Sequence, residues 1–258
     1  MVGGTVSLTP AALLSAHDWT LEANDSRVAE LLARDHRFLI GGDLVGSDSG
    51  RTFEVISPYS EEVIARVPDG TRADANRAVD AAMQAFPGWA GLTATARADA
   101  VRVLADAVSA RARDLALLDA IDGGAPIAMV TADVAASVAA LRYFAGLALE
   151  SKGHTIPASG NLHFTERQPY GVVAKIIPFN HPIMFAVSKI AAPLVAGNTV
   201  VLKPAEATPL SALLLAEICH DVLPPGVVNI VVGDGIDVPD ALVRHPDVYR
   251  VGFIGSEA

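Results

Sequence analysis

The sequence has 258 residues, of which 51% are hydrophobic and 19% charged, so it can bury a substantial core as one large or two modest domains. Its formal net charge of -10 and its lack of a basic patch argue against a nucleic-acid partner. The single cysteine, Cys219, excludes an intramolecular disulfide and a cysteine-rich zinc site. We therefore expect a reducing, cytoplasmic location and no metal. Because no apolar run approaches the roughly 20 residues of a membrane span, no membrane partner is expected.

The chain opens with an amphipathic segment and short strands. Residues 1–36, with the apolar pair Leu13 and Leu14, predict an extension of one or two short helices. Residues 37–42 predict a strand that ends at a glycine turn, and residues 51–56 predict a second strand. We expect these two strands to pair as an N-terminal hairpin.

A third strand is predicted at 62–67, after which the apolar spacing becomes helical. Four helices are predicted: from Thr71 to a stop at residues 87–89, then after a cap at Thr95, at 114–121 and at 132–149. Residues 155–170 alternate polar and apolar side chains between prolines and a glycine, so they predict an exposed two-stranded arm. Within the segment 151–170 we expect this arm to serve oligomerisation.

After Gly171 the pattern alternates between strand and helix. Strands are predicted at 171–177, 199–203, 227–232 and 248–254, and helices at 182–195, 210–222 and 238–244. Crossovers of this length favour an α/β fold with an open, doubly wound parallel sheet whose ligands bind at the carboxyl ends of the strands. The predicted main domain comprises residues 37–150 and 171–258.

Several residues in this part of the chain allow a structural or a functional interpretation. Asn180 follows a buried strand, where its side chain could cap the next helix or stabilise an oxyanion. Lys203 could simply reach water, or together with Glu206 it could bind ribose hydroxyls. Gly235 belongs to an incomplete glycine motif. Cys219 lies on the apolar face of a helix and is interpreted as structural.

Several segments in combination resemble the aldehyde dehydrogenase superfamily, from about residue 37 to the last residue. Ile177-Pro-Phe-Asn-His-Pro182 resembles that family's Pro-Trp-Asn-Phe-Pro turn, and Gly197-Asn-Thr-Val-Val-Leu-Lys-Pro-Ala-Glu206 resembles its cofactor strand. Residues 224–230 and 253–256 resemble its next strand and its phosphate turn. The resemblance implies a Rossmann-like sheet and NAD(P)-dependent oxidation of a small-molecule aldehyde to a carboxylic acid through a cysteine adduct.

The resemblance also implies roles for individual residues. Asn180 would be the catalytic oxyanion donor, and Lys203 and Glu206 would bind the adenine ribose. The remaining expected cofactor-binding residues are Ile176, Ile177, Pro178, Phe179, Ala205, Gly235, Gly255 and Ser256. Because Glu206 would repel a 2'-phosphate, NAD is expected in preference to NADP.

The sequence also departs from the family pattern. Phe179 replaces the usual tryptophan and His181 a frequent aromatic residue. The family's general-base glutamate and catalytic cysteine would follow Ala258, so we expect a truncated fold that is inactive alone. It would act as a homo-oligomer or with a complementary C-terminal half. The alternative is a non-catalytic nucleotide-binding or interaction protein derived from this fold.

Overall fold

The computed structural model of the chain describes residues 9–11 and 20–255. Leu13, Leu14 and Ser256 therefore lie outside the described residues. The first half contains α1 (Leu21–Leu32), β1 (Phe38–Ile40), β2 (Asp43–Val45), β3 (Thr52–Ile56), β4 (Val63–Pro68), α2 (Arg72–Ala90), α3 (Ala94–Ala110), α4 (Ala112–Gly123) and α5 (Ile127–Gly146). The second half contains β5 (Thr155–Ile156), β6 (His163–Phe164), β7 (Val172–Ile176), α6 (Pro182–Val195), β8 (Thr199–Lys203), α7 (Leu210–Val222), β9 (Val228–Ile230), α8 (Asp237–Arg244) and β10 (Val248–Phe253).

A six-stranded sheet with the order β10-β7-β8-β9-β1-β2 forms the centre of the fold. The four strands after Gly171 are parallel, as predicted, and β1 adds to them in the antiparallel direction. Helices α2 and α8 pack on each other and on the sheet, as do α6 and α7, with α3, α4 and α5 packed outside them. Every residue of β8 is buried because helices cover both faces, which explains its unbroken apolar run.

The predicted N-terminal hairpin is wrong in its pairing. Strand β1 pairs with β2 across the two-residue turn Gly41 and Gly42, whose positive φ angles of 67° and 95° suit a tight hairpin turn. Strand β3, predicted as the partner of β1, pairs with β4 instead. The three residues of β2 are too few to show an alternating pattern in the sequence.

The predicted helix boundaries need three corrections. Helix α2 does not stop at Pro87 but continues to Ala90, because the buried Trp89 side chain donates a hydrogen bond to the Leu194 carbonyl at 3.0 Å and anchors the last turn. The cap of α3 is Thr93, which accepts a hydrogen bond from the Ala96 amide, rather than Thr95. Helix α5 begins directly after Pro126 and not near residue 132.

Helix α5 contradicts the expectation that no apolar segment approaches the length of a membrane span. By length and composition alone this helix could cross a membrane, and it is the one such helix in the described part of the chain. It packs against α3, α4 and α6, and Val134, Val138 and Leu141 on its inner face are buried. That packing is typical of a core helix.

The predicted two-stranded arm is present. Strands β5 and β6 pair antiparallel and form a separate small sheet. Their side chains are exposed, including the apolar residues Ile156 and Phe164 and the intervening Leu162.

Candidate functional site

The carboxyl ends of three parallel strands lie side by side. The register pairs Ile176 of β7 with Lys203 of β8 on one side and with Phe253 of β10 on the other. The ladder continues one step further, since the Ile177 amide donates to the Lys203 carbonyl and the Ile254 amide donates to the Ile176 carbonyl, each at 3.1 Å. The loops that follow these strands therefore start at the same edge of the sheet.

The strand order reverses at this edge. Strands β7, β8 and β9 follow one another across the sheet, whereas β10 returns to the other side of β7. In open α/β sheets such a reversal leaves a crevice beyond the carboxyl ends of the strands, where ligands bind. The strand order thus predicts a binding site around the loops after β7 and β10.

A pocket of about 760 Å³ occupies this crevice, a volume within the range of roughly 300–1,000 Å³ typical of ligand sites. Every predicted site residue that the structure describes lines it: Ile176, Ile177, Pro178, Phe179, Asn180, Lys203, Ala205, Glu206, Gly235 and Gly255. The pocket is also lined by Ile236 and Pro239, which were not predicted, and by Phe253 and Ile254, which were predicted only as part of the segment 253–256. Phe253 and Ile254 could have been predicted individually, because they end the strand that returns beside β7.

The turn after β7 carries Asn180 into this pocket. Pro182 begins α6 at the position where a missing N–H costs nothing. The N-cap residue of α6 is His181 and makes no side-chain capping bond, so the interpretation of Asn180 as a helix cap is wrong. The Asn180 side chain is exposed at the pocket rim, where its amide can donate to a ligand.

A lysine and a carboxylate form an ion pair at the end of β8. Lys203 Nζ lies 2.6 Å from Glu206 Oε2, and the Lys203 side chain is buried while that of Glu206 is 47% exposed. Burial alone would raise the pKa of Glu206, but hydrogen bonds from Lys203 and from its own backbone amide outweigh it and lower the pKa. The carboxylate is therefore ionised at neutral pH and faces the pocket.

Large apolar side chains surround the mouth of the pocket. Phe179 is 63% exposed, Ile236 74% and Phe253 62%. A ligand that covers side chains of this size removes apolar surface from water, which favours binding. A pocket with apolar walls and a few polar groups at one end suits a ligand that has a flat ring and a hydroxylated part.

Comparisons with known proteins identify the family. A family profile described as "Aldehyde dehydrogenase family" matches residues 44–258. The chain belongs to the aldehyde dehydrogenase family. This agrees with the resemblance of the Asn180 turn and the Lys203 strand, and the match to solved aldehyde dehydrogenase structures confirms the Rossmann-like fold class.

Individual aldehyde dehydrogenases support the assignment. The chain is 42% identical to "Aldehyde dehydrogenase, mitochondrial" of Leishmania tarentolae over 86% of its own length and 45% of the relative's. It is 41% identical to aldehyde dehydrogenase 1A1 of Rattus norvegicus, over 89% and 47% of the two chains. The NAD+ complex structure of aldehyde dehydrogenase from Bacillus cereus superposes with a TM-score of 0.86 and 37% identity, over 93% and 49% of the chains. The chain thus spans about half the length of these relatives.

Cys219 does not line the pocket at the carboxyl ends of β7, β8 and β10. The side chain is 1% exposed on α7, and burial raises the pKa of the thiol to about 12. A thiol that stays protonated is a poor nucleophile. Within the described residues, no group of three or more His, Cys, Asp or Glu side chains is arranged to hold a metal ion.

Two buried carboxyl groups behind the pocket were missed by the sequence analysis. On α4, Asp119 Oδ2 accepts a hydrogen bond from the Ile183 amide of α6 at 3.0 Å, and Asp122 Oδ2 accepts one from the Leu210 amide of α7 at 3.1 Å. Both side chains are buried, and burial raises both pKa values, that of Asp119 to about 7. These carboxyl groups bind the first turns of two helices whose preceding loops line the pocket.

Proposed function

We propose that this chain is the cofactor-binding part of an aldehyde dehydrogenase that oxidises an aldehyde to a carboxylic acid with NAD. The observation that carries the proposal is the convergence of the residues after β7, β8 and β10 on one pocket at the reversal of the strand order. The family and the NAD+ complex of the Bacillus cereus relative support it. NAD would supply the hydride acceptor, and the residues of this chain would hold and orient it.

The ion pair at the end of β8 would select the nucleotide. Because hydrogen bonding holds the pKa of Glu206 low, its carboxylate is available to accept hydrogen bonds from both ribose hydroxyls. The buried Lys203 would donate to the same ribose and keeps the carboxylate in place. A 2'-phosphate would meet this carboxylate at close range, so NAD is preferred to NADP.

Other residues of the pocket would contact the adenine ring and the phosphates of NAD. Exposed faces of Ile236 and Phe253 suit the adenine ring. Helix α8 is poorly suited to a phosphate, because Asp237 and Asp240 place negative charge in its first turn. The turn at Gly255, which resembles the family's phosphate turn, would take the phosphates instead.

Asn180 would act on the aldehyde itself. Its exposed amide at the pocket rim can donate a hydrogen bond to the carbonyl oxygen and hold the negative charge that develops when a nucleophile adds. The family resemblance implies a cysteine thiolate as the nucleophile, and Cys219 is buried, protonated and outside the pocket. We therefore propose that catalysis requires a cysteine that is not Cys219, supplied by a C-terminal segment or a second chain.

Titration calorimetry tests the nucleotide preference on the chain itself. We expect NAD to bind more tightly than NADP, and Glu206→Gln to narrow the preference by removing the charge that repels the 2'-phosphate. Asp80→Asn is the matched control, since Asp80 is an exposed carboxylate on α2 outside the pocket. Tighter binding of NADP than NAD contradicts the role of Glu206. Failure of both nucleotides to bind contradicts the proposed function, including its non-catalytic, nucleotide-binding alternative.

A further inference from the structure

The first turn of α6, which begins two residues after Asn180, is held from two sides. Asp119 of α4 accepts a hydrogen bond from the Ile183 amide at 3.0 Å. Asp133 of α5 contacts His181, with 2.7 Å between Asp133 Oδ2 and His181 Nδ1. The two carboxyl groups come from different helices and bind the residues on either side of Pro182.

Asp119 occupies a completely buried position. The Ser211 hydroxyl of α7 lies near Asp119 and acts to lower the pKa of the carboxyl group, but it forms no hydrogen bond of normal geometry with Oδ1, which has no other partner. The ionisable groups that face it are Asp122 on its own helix, Asp133 on α5 and His181 before α6. A buried carboxylate with one unpartnered oxygen lowers the stability of the fold, and protonation of the carboxyl group removes much of that free-energy cost.

We propose that Asp119 and Asp133 are positioning residues that fix Asn180 at the rim of the cofactor pocket, and that the charge on Asp119 sets the position. The proposal rests on the proposed function, because it assigns Asn180 a place beside the substrate. It adds two residues that touch neither cofactor nor substrate and act through the first turn of α6.

The charge on Asp119 matters because it acts on a helix N-terminus. An ionised carboxylate accepts a stronger hydrogen bond from the Ile183 amide and interacts favourably with the positive end of the α6 dipole. Against this, burial raises the pKa of Asp119 to about 7, with the nearby Asp133 charge acting in the same direction. The proton therefore leaves Asp119 at a higher pH than it leaves an ordinary aspartate, and the Ile183 amide donates to a neutral carboxyl group below that pH and to a carboxylate above it.

The direction of the stability change follows from the same pKa. The unfolded chain releases the Asp119 proton at about 3.9, whereas the folded chain retains it up to about 7. The folded state therefore binds more protons between these values, and the Asp119 contribution to stability falls as the pH rises through this window. Replacement by asparagine removes this fall and retains an acceptor for the Ile183 amide.

Nitrogen–proton correlation spectra of the nucleotide-free chain test the proposal. The side-chain amide of Asn180, assigned by its loss in Asn180→Asp, is followed across the neutral pH range together with the Ile183 backbone amide. We expect both signals to titrate with one shared midpoint well above the ordinary aspartate value, because burial raises the pKa of Asp119. Different midpoints, or no titration of Asn180, would overturn the proposal without any variant.

Variants distinguish a positioning role of Asp119 and Asp133 from a role in fold stability alone. Asp119→Asn should abolish the Asn180 titration, and Asp133→Ala should shift the Asn180 signal at every pH by releasing His181. Asp80→Asn, with its exposed carboxylate on α2, should titrate as the unmodified chain does. A lowered melting temperature with an unchanged Asn180 titration would show that Asp119 is only structural. Because no nucleotide is present, the outcome is independent of NAD binding, whose absence would contradict only the proposed function.

Discussion

Cys219 is the single thiol of the chain, and its burial decides what it can do. We predict that the chain with NAD and an aldehyde produces no NADH, because a thiol with a pKa of about 12 is almost wholly protonated at neutral pH. Alkylation of the folded chain by iodoacetamide should be slow and should become fast in denaturant. Turnover that disappears in Cys219→Ala would contradict this prediction.

Some site residues could be predicted from sequence patterns and others could not. Asn180, Lys203 and Glu206 were predictable because each lies at or just after the carboxyl end of a strand that is followed by a proline. Asp119 and Asp122 were not, because charged residues in a helix usually indicate a solvent-facing side. Their partners lie 64 and 88 residues further along the chain, so no local pattern could indicate the contacts.

The N-terminus of α2 is stabilised by a capping box that centres on Asp74. This buried carboxylate accepts hydrogen bonds from the Thr71 amide and hydroxyl at 2.9 Å and from the Asp48 amide at 3.0 Å. We predict that Asp74→Ala lowers the free energy of unfolding by about 2–3 kcal/mol at neutral pH, because buried donors lose their acceptor. Urea denaturation measures the change, and Asp80→Ala on the exposed side of α2 is the control.

The same carboxylate gives this prediction a pH dependence. Burial would raise the pKa of Asp74, but hydrogen bonds from Thr71, Asp48 and Arg77 lower it overall. A lowered folded pKa means that the stabilisation is present above the unfolded value of about 3.9 and is lost as the pH falls through the folded value. The difference between Asp74→Ala and the unmodified chain should therefore shrink in acid. A constant difference would argue against the carboxylate as its source.

Element boundaries were predicted well where local and tertiary effects agree. Helix Leu210–Val222 has the predicted ends, and strand Val172–Ile176 lies within its predicted range. At Pro87 the local signal for a helix end was overridden, because the Trp89 hydrogen bond to α6 and burial of the indole ring stabilise one more turn. Tertiary contacts of this kind leave no periodic trace in the sequence.

The exposed β5–β6 arm is the feature of the molecule that we expect to promote its association with another chain. Leu162 is 76% and Phe164 67% exposed, and the two strands form no contact with the main sheet through hydrogen bonds. We predict that the chain self-associates or requires a complementary chain, because apolar side chains on an open strand edge are a template for pairing. Light scattering after size exclusion should show a species larger than a monomer.

Variants of the arm test the same prediction. Leu162→Ser with Phe164→Ser should shift the distribution toward the monomer, and the paired change Ser159→Ala with Asn161→Ala in the same arm is the control, since it retains the apolar side chains. A monodisperse monomer with a cooperative melt in the unmodified chain would contradict the assembly role of the arm and favour the stand-alone binding protein.

The position of β10 in the sheet links cofactor binding to the completion of folding. Strand β10 pairs on one side only and most of its side chains are exposed, so it is held less firmly than the buried strands beside it. It is also the last described strand along the chain, yet its Phe253 and Ile254 form a wall of the pocket. A bound nucleotide would therefore lower the population of forms in which β10 has detached, by mass action on the closed sheet. When nucleotide is present during refolding, the amides of β10 should exchange hydrogen more slowly than without nucleotide. This slowing should be larger for β10 than for β8.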